Sequence, residues 1–167
     1  MAGVARLFLA VWPPEEVIAE LRSLHRKDQR GVRFVPPEHW HITVRFFGNA
    51  DPAEVVDALD GMTLPATTAR LGPGVDVLDQ RVVVLPAAGL EPLADAVNAR
   101  TRNVGEAPRK RFVGHLTLAR VQPRVPMPRV VGVLFQHSFD VDEVALVESR
   151  LDHRGPRYET LETWPVG

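Results

Sequence analysis

The 167-residue chain contains no cysteine. That single absence removes disulfides, thiolate catalysis and cysteine-ligated zinc, and it fits a protein of the cytoplasm. Long hydrophobic runs are missing too. The apolar stretch Met1–Trp12 is interrupted by Arg6 and falls short of a membrane span, so it reads as a core strand rather than a signal peptide, and no membrane partner is expected. Neither a low-complexity tract nor a long linker divides the sequence. The length and the 45% hydrophobic content suit one domain over 1–167 with an adequate core, expected to be a monomer. Lysine is scarce, with 18 of the 20 basic residues being arginine, a bias that genome composition explains as readily as phosphate recognition.

Acids are sparse in one place. Residues 100–129 carry eight basic groups against the lone acid Glu106, so this segment is +7 in a chain of net charge -1. Such a field steers anions, although a solvated basic loop has the same composition.

Within that segment lies His115-Leu116-Thr117-Leu118, and 74 residues earlier stands His41-Ile42-Thr43-Val44. With six histidines and eight threonines in the chain, two copies of an apolar-flanked His-x-Thr have a chance on the order of 0.002. On a strand, His41 and Thr43 face one way while Ile42 and Val44 enter a core, and the second copy behaves alike.

The remaining patterns supply a scaffold. Arg6–Trp12 reads as a buried strand closed by Pro13-Pro14, followed by a helix that carries Val17, Ile18, Leu21 and Leu24 and ends at Gly31. The first motif strand covers about 41–48. Asp51-Pro52-Ala53-Glu54 reads as an N-cap, an N1 proline and a reciprocal N3 acid opening a short helix. Strands are expected at 68–78 and 81–85 around an Asp79-Gln80 turn, and a helix at 90–104. The second motif strand, 111–121, precedes a short helix at Val130–Phe135 and strands at 138–149 and 157–163. This is a loose duplication. It predicts an α+β fold of two similar lobes, each an antiparallel sheet covered by helices, with the motif strands lining a central groove.

Two imidazoles suit phosphodiester cleavage, because one takes a proton from the attacking water while the other gives one to the leaving oxygen. An unperturbed imidazole titrates near 6.5, so both forms are accessible near neutrality. Threonine hydroxyls donate to non-bridging phosphate oxygens, and arginine adds a charge-assisted contact. This chemistry requires no metal and no cofactor. A His–His metal site is the sharper rival, but it wants a third ligand, and only Glu38 and Glu106 lie near either motif. His39 reads as an accessory or surface residue at the strand entrance, and His25, His137 and His153 show no partner pattern.

The chain resembles the two-histidine phosphoesterase superfamily, most closely the RNA 2′,3′-cyclic phosphodiesterases, also called 2′-5′ RNA ligases. The resemblance is carried by Arg6–Ala10, Val35–Glu38, His41–Gly48, Phe112–Arg120, Leu146–Leu151 and Arg157–Glu159. It implies a bilobal, pseudo-twofold fold and metal-independent opening of a 2′,3′-cyclic phosphate, on an RNA end or a nucleotide, to a 2′-phosphate. In that scheme His41 protonates the departing 3′ oxygen, His115 activates water, and Thr43 and Thr117 hold the phosphate. It further implies base stacking by Phe46 and a phosphate contact by Arg120. Strict alternation puts both on the wrong face, so an odd offset needs a bulge, a strand end or strong twist, and Arg45 remains a rival for the phosphate. The alternatives are a non-catalytic protein that binds RNA ends or phosphate, and a phosphodiesterase for a cyclic nucleotide-sugar phosphate.

Overall fold

The structure, a computed structural model, describes residues 3–167. Met1 and Ala2, which open the apolar N-terminal stretch, lie outside the described residues. The fold is α+β, with ten strands and three α-helices among the described residues. In chain order the strands are β1 (Ala5–Val11), β2 (Val32–Phe34), β3 (Ile42–Ala50), β4 (Thr68–Leu71), β5 (Asp76–Leu78), β6 (Val82–Ala88), β7 (His115–Val121), β8 (His137–Asp140), β9 (Glu143–Asp152) and β10 (Gly155–Pro165). The helices are α1 (Glu15–Leu21), α2 (Pro52–Leu59) and α3 (Glu91–Thr101). Every strand pairing is antiparallel, in the order β10-β9-β1-β3-β7-β6-β4-β8, with β2 beside β7 and β5 beside β6. The two motif strands are neighbours, registered at Ile42 and Leu116.

Alternation along β1 divides the two sides of the sheet. Leu7, Leu9 and Val11 join the main core with Val17 and Leu21 of α1, Val55 and Leu59 of α2, and Leu93 and Val97 of α3. Phe8 and Ala10 join a second cluster with Ala145, Val147, Trp12, Phe46 and Tyr158. Helices therefore cover one face, and the smaller aromatic cluster marks the other.

Several local expectations are corrected. The first helix stops at Leu21 instead of reaching Gly31. Beyond buried Leu24 the run His25–Arg30 is wholly polar and gives a helix no face to bury, and Ser23 Oγ donates to the Glu20 carbonyl at 2.6 Å, satisfying the last turn locally. Asp51 caps α2 by accepting from the Ala53 N–H at 2.9 Å. The expected 68–78 strand breaks at Gly72-Pro73-Gly74 into β4 and β5, because proline donates nothing to a ladder. Val130–Phe135 forms turns and not a helix. Gly132 sits at φ +89°, and the segment exchanges backbone bonds with its neighbour: Val75 N–H to Val133 O, Gly132 N–H to Val75 O, Phe135 N–H to Pro73 O, each 2.9 Å. The expected 138–149 strand divides at Val141-Asp142, so that β8 pairs with β4 and β9 with β1. The second motif strand starts at His115 instead of 111. Asp79 and Gln80 turn as expected, both at positive φ.

Candidate active site

Along the first motif, Ile42 and Val44 are in the main core while Thr43 faces away from it. Then the alternation slips: Arg45 is also buried, Phe46 emerges, and Phe47 returns to the core. The cause is a bulge. Thr43 pairs with Ala10 and Arg45 with the adjacent Leu9, which leaves Val44 as an extra residue. The second motif repeats this. Thr117 pairs with Val84 and Ala119 with Val83, leaving Leu118 extra, so Leu116, Leu118, Ala119 and Val121 are in the core while His115, Thr117 and Arg120 face out. Residues 41–47 and 115–121 thus present one in-and-out pattern, in which Phe46 corresponds to Arg120 and Arg45 to Ala119.

The bulges decide the odd-offset question. Phe46 and Arg120 line the same cavity as His41, Thr43, His115 and Thr117. Arg45 does not: it is 3% exposed and points to the helix side. Its Nε donates to Thr101 Oγ1 (3.2 Å), one terminal nitrogen to the Phe46 carbonyl (2.6 Å), and the other to the carbonyls of Thr101 (3.1 Å) and Val104 (2.9 Å). The guanidinium also lies 4.5 Å over the Phe47 ring. Arg45 is a clamp between the bulge and the end of α3, and its rival claim on the phosphate is overturned.

The cavity measures about 630 Å³. Four arginines line it (Arg6, Arg33, Arg120 and Arg154) with three histidines and no carboxylate, so its field favours anions although the chain is slightly acidic. Of the eight basic groups in 100–129, Arg120 alone lines it; the other three arginines come from β1, β2 and the β9–β10 turn. Arg6 sits 4.9 Å over the Phe46 ring, stiffening a side chain that is half-buried and neither pure core nor free surface.

Each motif histidine is anchored in the same way. His41 Nδ1 lies 2.7 Å from the His39 carbonyl and His115 Nδ1 lies 2.8 Å from the Val113 carbonyl. A carbonyl only accepts, so Nδ1 must carry the hydrogen, and Nε2 is left as the reactive nitrogen of each ring. Thr43 and Thr117 hydroxyls make no hydrogen bond among the described residues. The rings differ in their surroundings. His41 stacks on Phe8 at 4.9 Å, meets Tyr158 edge-on at 5.5 Å and lies 5.4 Å from Trp12. Burial pushes its pKa below the usual imidazole value, the backbone bond to His39 opposes this, and the positive charges of His39, His115 and Arg120 lower it further. Tyr158 is pushed up by burial, against the pull of Arg120, Arg33 and Arg6.

His39 ends a short 3-10 helix and packs 4.6 Å from Tyr158 at the cavity, an accessory place rather than a bare surface one. Among the described residues no group of three or more His, Asp or Glu is placed to hold a metal ion. No helix of the described chain is long and apolar enough to cross a membrane. Residue-by-residue reading missed Arg6, Phe8, Arg33 and Tyr158. Strand alternation could have found Arg6 and Phe8, and three of the segments that carry the family resemblance contain Arg6, Phe8, Val35, Pro36 and Tyr158, all at the cavity.

Comparison with known proteins places the chain among phosphoesterases. A family model described as "LigT like Phosphoesterase" matches residues 11–70, which hold the first motif. The chain is 35% identical to the RNA 2′,3′-cyclic phosphodiesterase of Thermus thermophilus, spanning 96% of this chain and 90% of that protein. The crystal structure of TT0787, also from Thermus thermophilus, is similar with a TM-score of 0.79 at 34% identity, covering 96% of this chain and 97% of that one. E. coli LigT complexed with 3′-AMP gives 0.75 at 26% identity, with 98% of each chain covered. Fold and full-length likeness together define a two-histidine phosphoesterase, a hydrolase of phosphodiester bonds. The chain belongs to the LigT-like phosphoesterase family.

Proposed function

We propose that this enzyme opens 2′,3′-cyclic phosphates on RNA ends or nucleotides to 2′-phosphates without a metal. The observation that supports it most is the pair of identically anchored imidazoles, each with Nδ1–H tied to the carbonyl two residues back, on one arginine-lined cavity free of carboxylates. Neutral His115 takes a proton from water through Nε2 as the oxygen attacks phosphorus. The bond from phosphorus to O3′ breaks, and protonated His41 delivers the Nε2 proton to O3′. Thr43, Thr117 and Arg120 hold the non-bridging oxygens as charge builds on them, and Phe46, steadied by Arg6, stacks on the base. With an RNA 5′-hydroxyl replacing water as the nucleophile, His115 takes its proton, the bond from phosphorus to O3′ breaks and His41 protonates O3′, which joins the ends through a 2′-5′ linkage. Binding alone needs no pair of oriented imidazoles.

A metal rival would draw on both histidines, but among the described residues no third His, Asp or Glu, His39 included, is placed with them to hold a metal ion. The lack of cysteine fits a cytoplasmic enzyme, and the main core shared by both motif strands supports a single domain. The test is an assay in the presence of chelator with 2′,3′-cyclic mononucleotides and short RNAs, resolving 2′- from 3′-phosphate products. Turnover to the 2′-phosphate is expected. A 3′-phosphate product, or no turnover until metal is added, would overturn the reading.

A further inference from the structure

Arg33 on β2 and Arg120 on β7 are registered partners across an antiparallel pair. Like charges directly opposite each other on a sheet are destabilising, and neither forms an ion pair among the described residues. The other cavity arginines, Arg6 and Arg154, share this lack among the described residues, whereas Arg150 and Arg157 on the neighbouring hairpin bind Glu148 at 2.9 Å and Asp152 at 2.6 Å. Fold stability alone would not favour two uncompensated guanidiniums side by side. Both line the catalytic cavity, and both also line a second, shallower pocket of about 330 Å³ on its flank, completed by Gly31, Val32, Val121 and Gln122. No carboxylate lines this pocket either. Above the main cavity the β9–β10 turn presents Arg154, whose backbone N–H is fixed by Asp152 at 2.7 Å and which is itself without an acidic partner among the described residues.

We infer that the Arg33–Arg120 pair and its flanking pocket bind a second phosphate, the internucleotide phosphate on the 5′ side of the nucleotide that carries the cyclic end. The inference rests on the proposed phosphodiesterase reading and narrows its substrate class to oligonucleotides. Arg120 stands at the boundary, in reach of the reacting phosphate and of the next one, while Arg33 serves mainly the second. A negatively charged linkage here relieves the repulsion between the two guanidiniums, so binding energy comes both from new charge-assisted bonds and from an unfavourable pair made favourable.

The test compares kcat/KM for three substrates under chelator: cytidine 2′,3′-cyclic phosphate, a dinucleotide ending in the same cyclic phosphate, and that dinucleotide with an uncharged methylphosphonate linkage, its diastereomers separated. The natural dinucleotide should exceed both methylphosphonates by about tenfold or more, the size of one lost charge-assisted contact. Arg33→Gln should lower the natural dinucleotide more than the mononucleotide and close most of that gap. Equal rates for charged and uncharged linkages in the wild type would overturn the subsite and leave the phosphodiesterase reading intact. Preference for a cyclic phosphate of ADP-ribose over the dinucleotide would also overturn it, since the second phosphate would then belong to a pyrophosphate. A wild type that opens none of these substrates would end the phosphodiesterase reading on which the subsite depends.

Discussion

Arg45 offers a prediction in which structure and chemistry part company with simple strand alternation. By alternation its guanidinium would reach the substrate phosphate; in the fold it is 3% exposed and donates four hydrogen bonds to the bulge and the end of α3. Of the acceptors, the Thr101 carbonyl at the end of α3 also receives the Val104 N–H at 3.0 Å, whereas the Val104 carbonyl, three residues past the helix, has Arg45 as its donor. Replacing Arg45 by methionine keeps the apolar stem over Phe47 and strands the Val104 carbonyl. Each bond to a charged donor is worth about 1.5–3 kcal/mol, but removing the guanidinium also recovers its desolvation cost. The net loss is therefore expected at about 3–5 kcal/mol, against a total stability of about 5–15 kcal/mol. For a chain of this size that lowers the melting temperature by roughly 10 °C. Calorimetry or urea unfolding reads the stability, and phosphate titration below the melting transition reads the site. Phosphate affinity should change less than about threefold, since the group removed is on the far side of the sheet. An unchanged melting temperature with a tenfold loss of phosphate affinity would refute the clamp and return Arg45 to the cavity.

Alanine at either His41 or His115 should reduce turnover by about 10² or more with melting temperature little changed, and a substrate with a much better leaving group should rescue His41→Ala but not His115→Ala. Rescue of the other variant would reverse the two roles. Chelation by EDTA should leave the rate unchanged; loss on chelation restored by zinc would revive the metal site. Binding of a nucleoside monophosphate should be accompanied by proton uptake, seen as a buffer-dependent calorimetric enthalpy. Burial and nearby cations hold the pKa of His41 down, and a bound anion offsets the cations and raises it. Affinity should then fall as pH rises through the window bounded by the free and bound values, and an enthalpy independent of buffer would contradict this.

The duplicated motif was legible because its polar and apolar residues alternate with little help from elsewhere: Ile42 and Leu116 are fully buried, and the threonines beside them face the cavity. The cap of α2 was legible for the same reason, its signal being local, since Asp51 accepts from an N–H two residues on. What failed was non-local. Whether Val130–Phe135 is a helix depends on Gly132 and Val133 finding partners at Val75, more than 50 residues earlier. The bulges at Val44 and Leu118 could be inferred only as a need of the odd offsets, because nothing in Val-Arg or Leu-Ala announces an extra residue; the register of β1 and β6 creates it. Most cavity arginines were missed since clustering in sequence was the signal sought, while the cavity draws them singly from β1, β2, β7 and a hairpin turn.

The proposed mechanism gives two copies of one device opposite roles. Around the histidines and threonines backbone geometry gives no distinction: both strands bulge at the step after the threonine, and both imidazoles donate from Nδ1 to a carbonyl two residues back; β3 differs only further on, slipping again at Phe47. The distinction arises in what surrounds the rings. Around His41 the fold packs Phe8, Trp12 and Tyr158, contributed by the strands and loop on its side of the sheet, and the equivalent space beside His115 contains no aromatic ring stacked on it among the described contacts. An imidazole walled by aromatics is poorly solvated, so its proton is weakly held and readily given up once a phosphate has drawn it on. A weakly held proton delivered to a developing oxyanion is what a general acid supplies, and an imidazole open to the cavity has access to the water that a general base must activate. The aromatic cluster on the cavity face therefore does more than complete the packing of the sheet: it makes two copies of one motif chemically unequal.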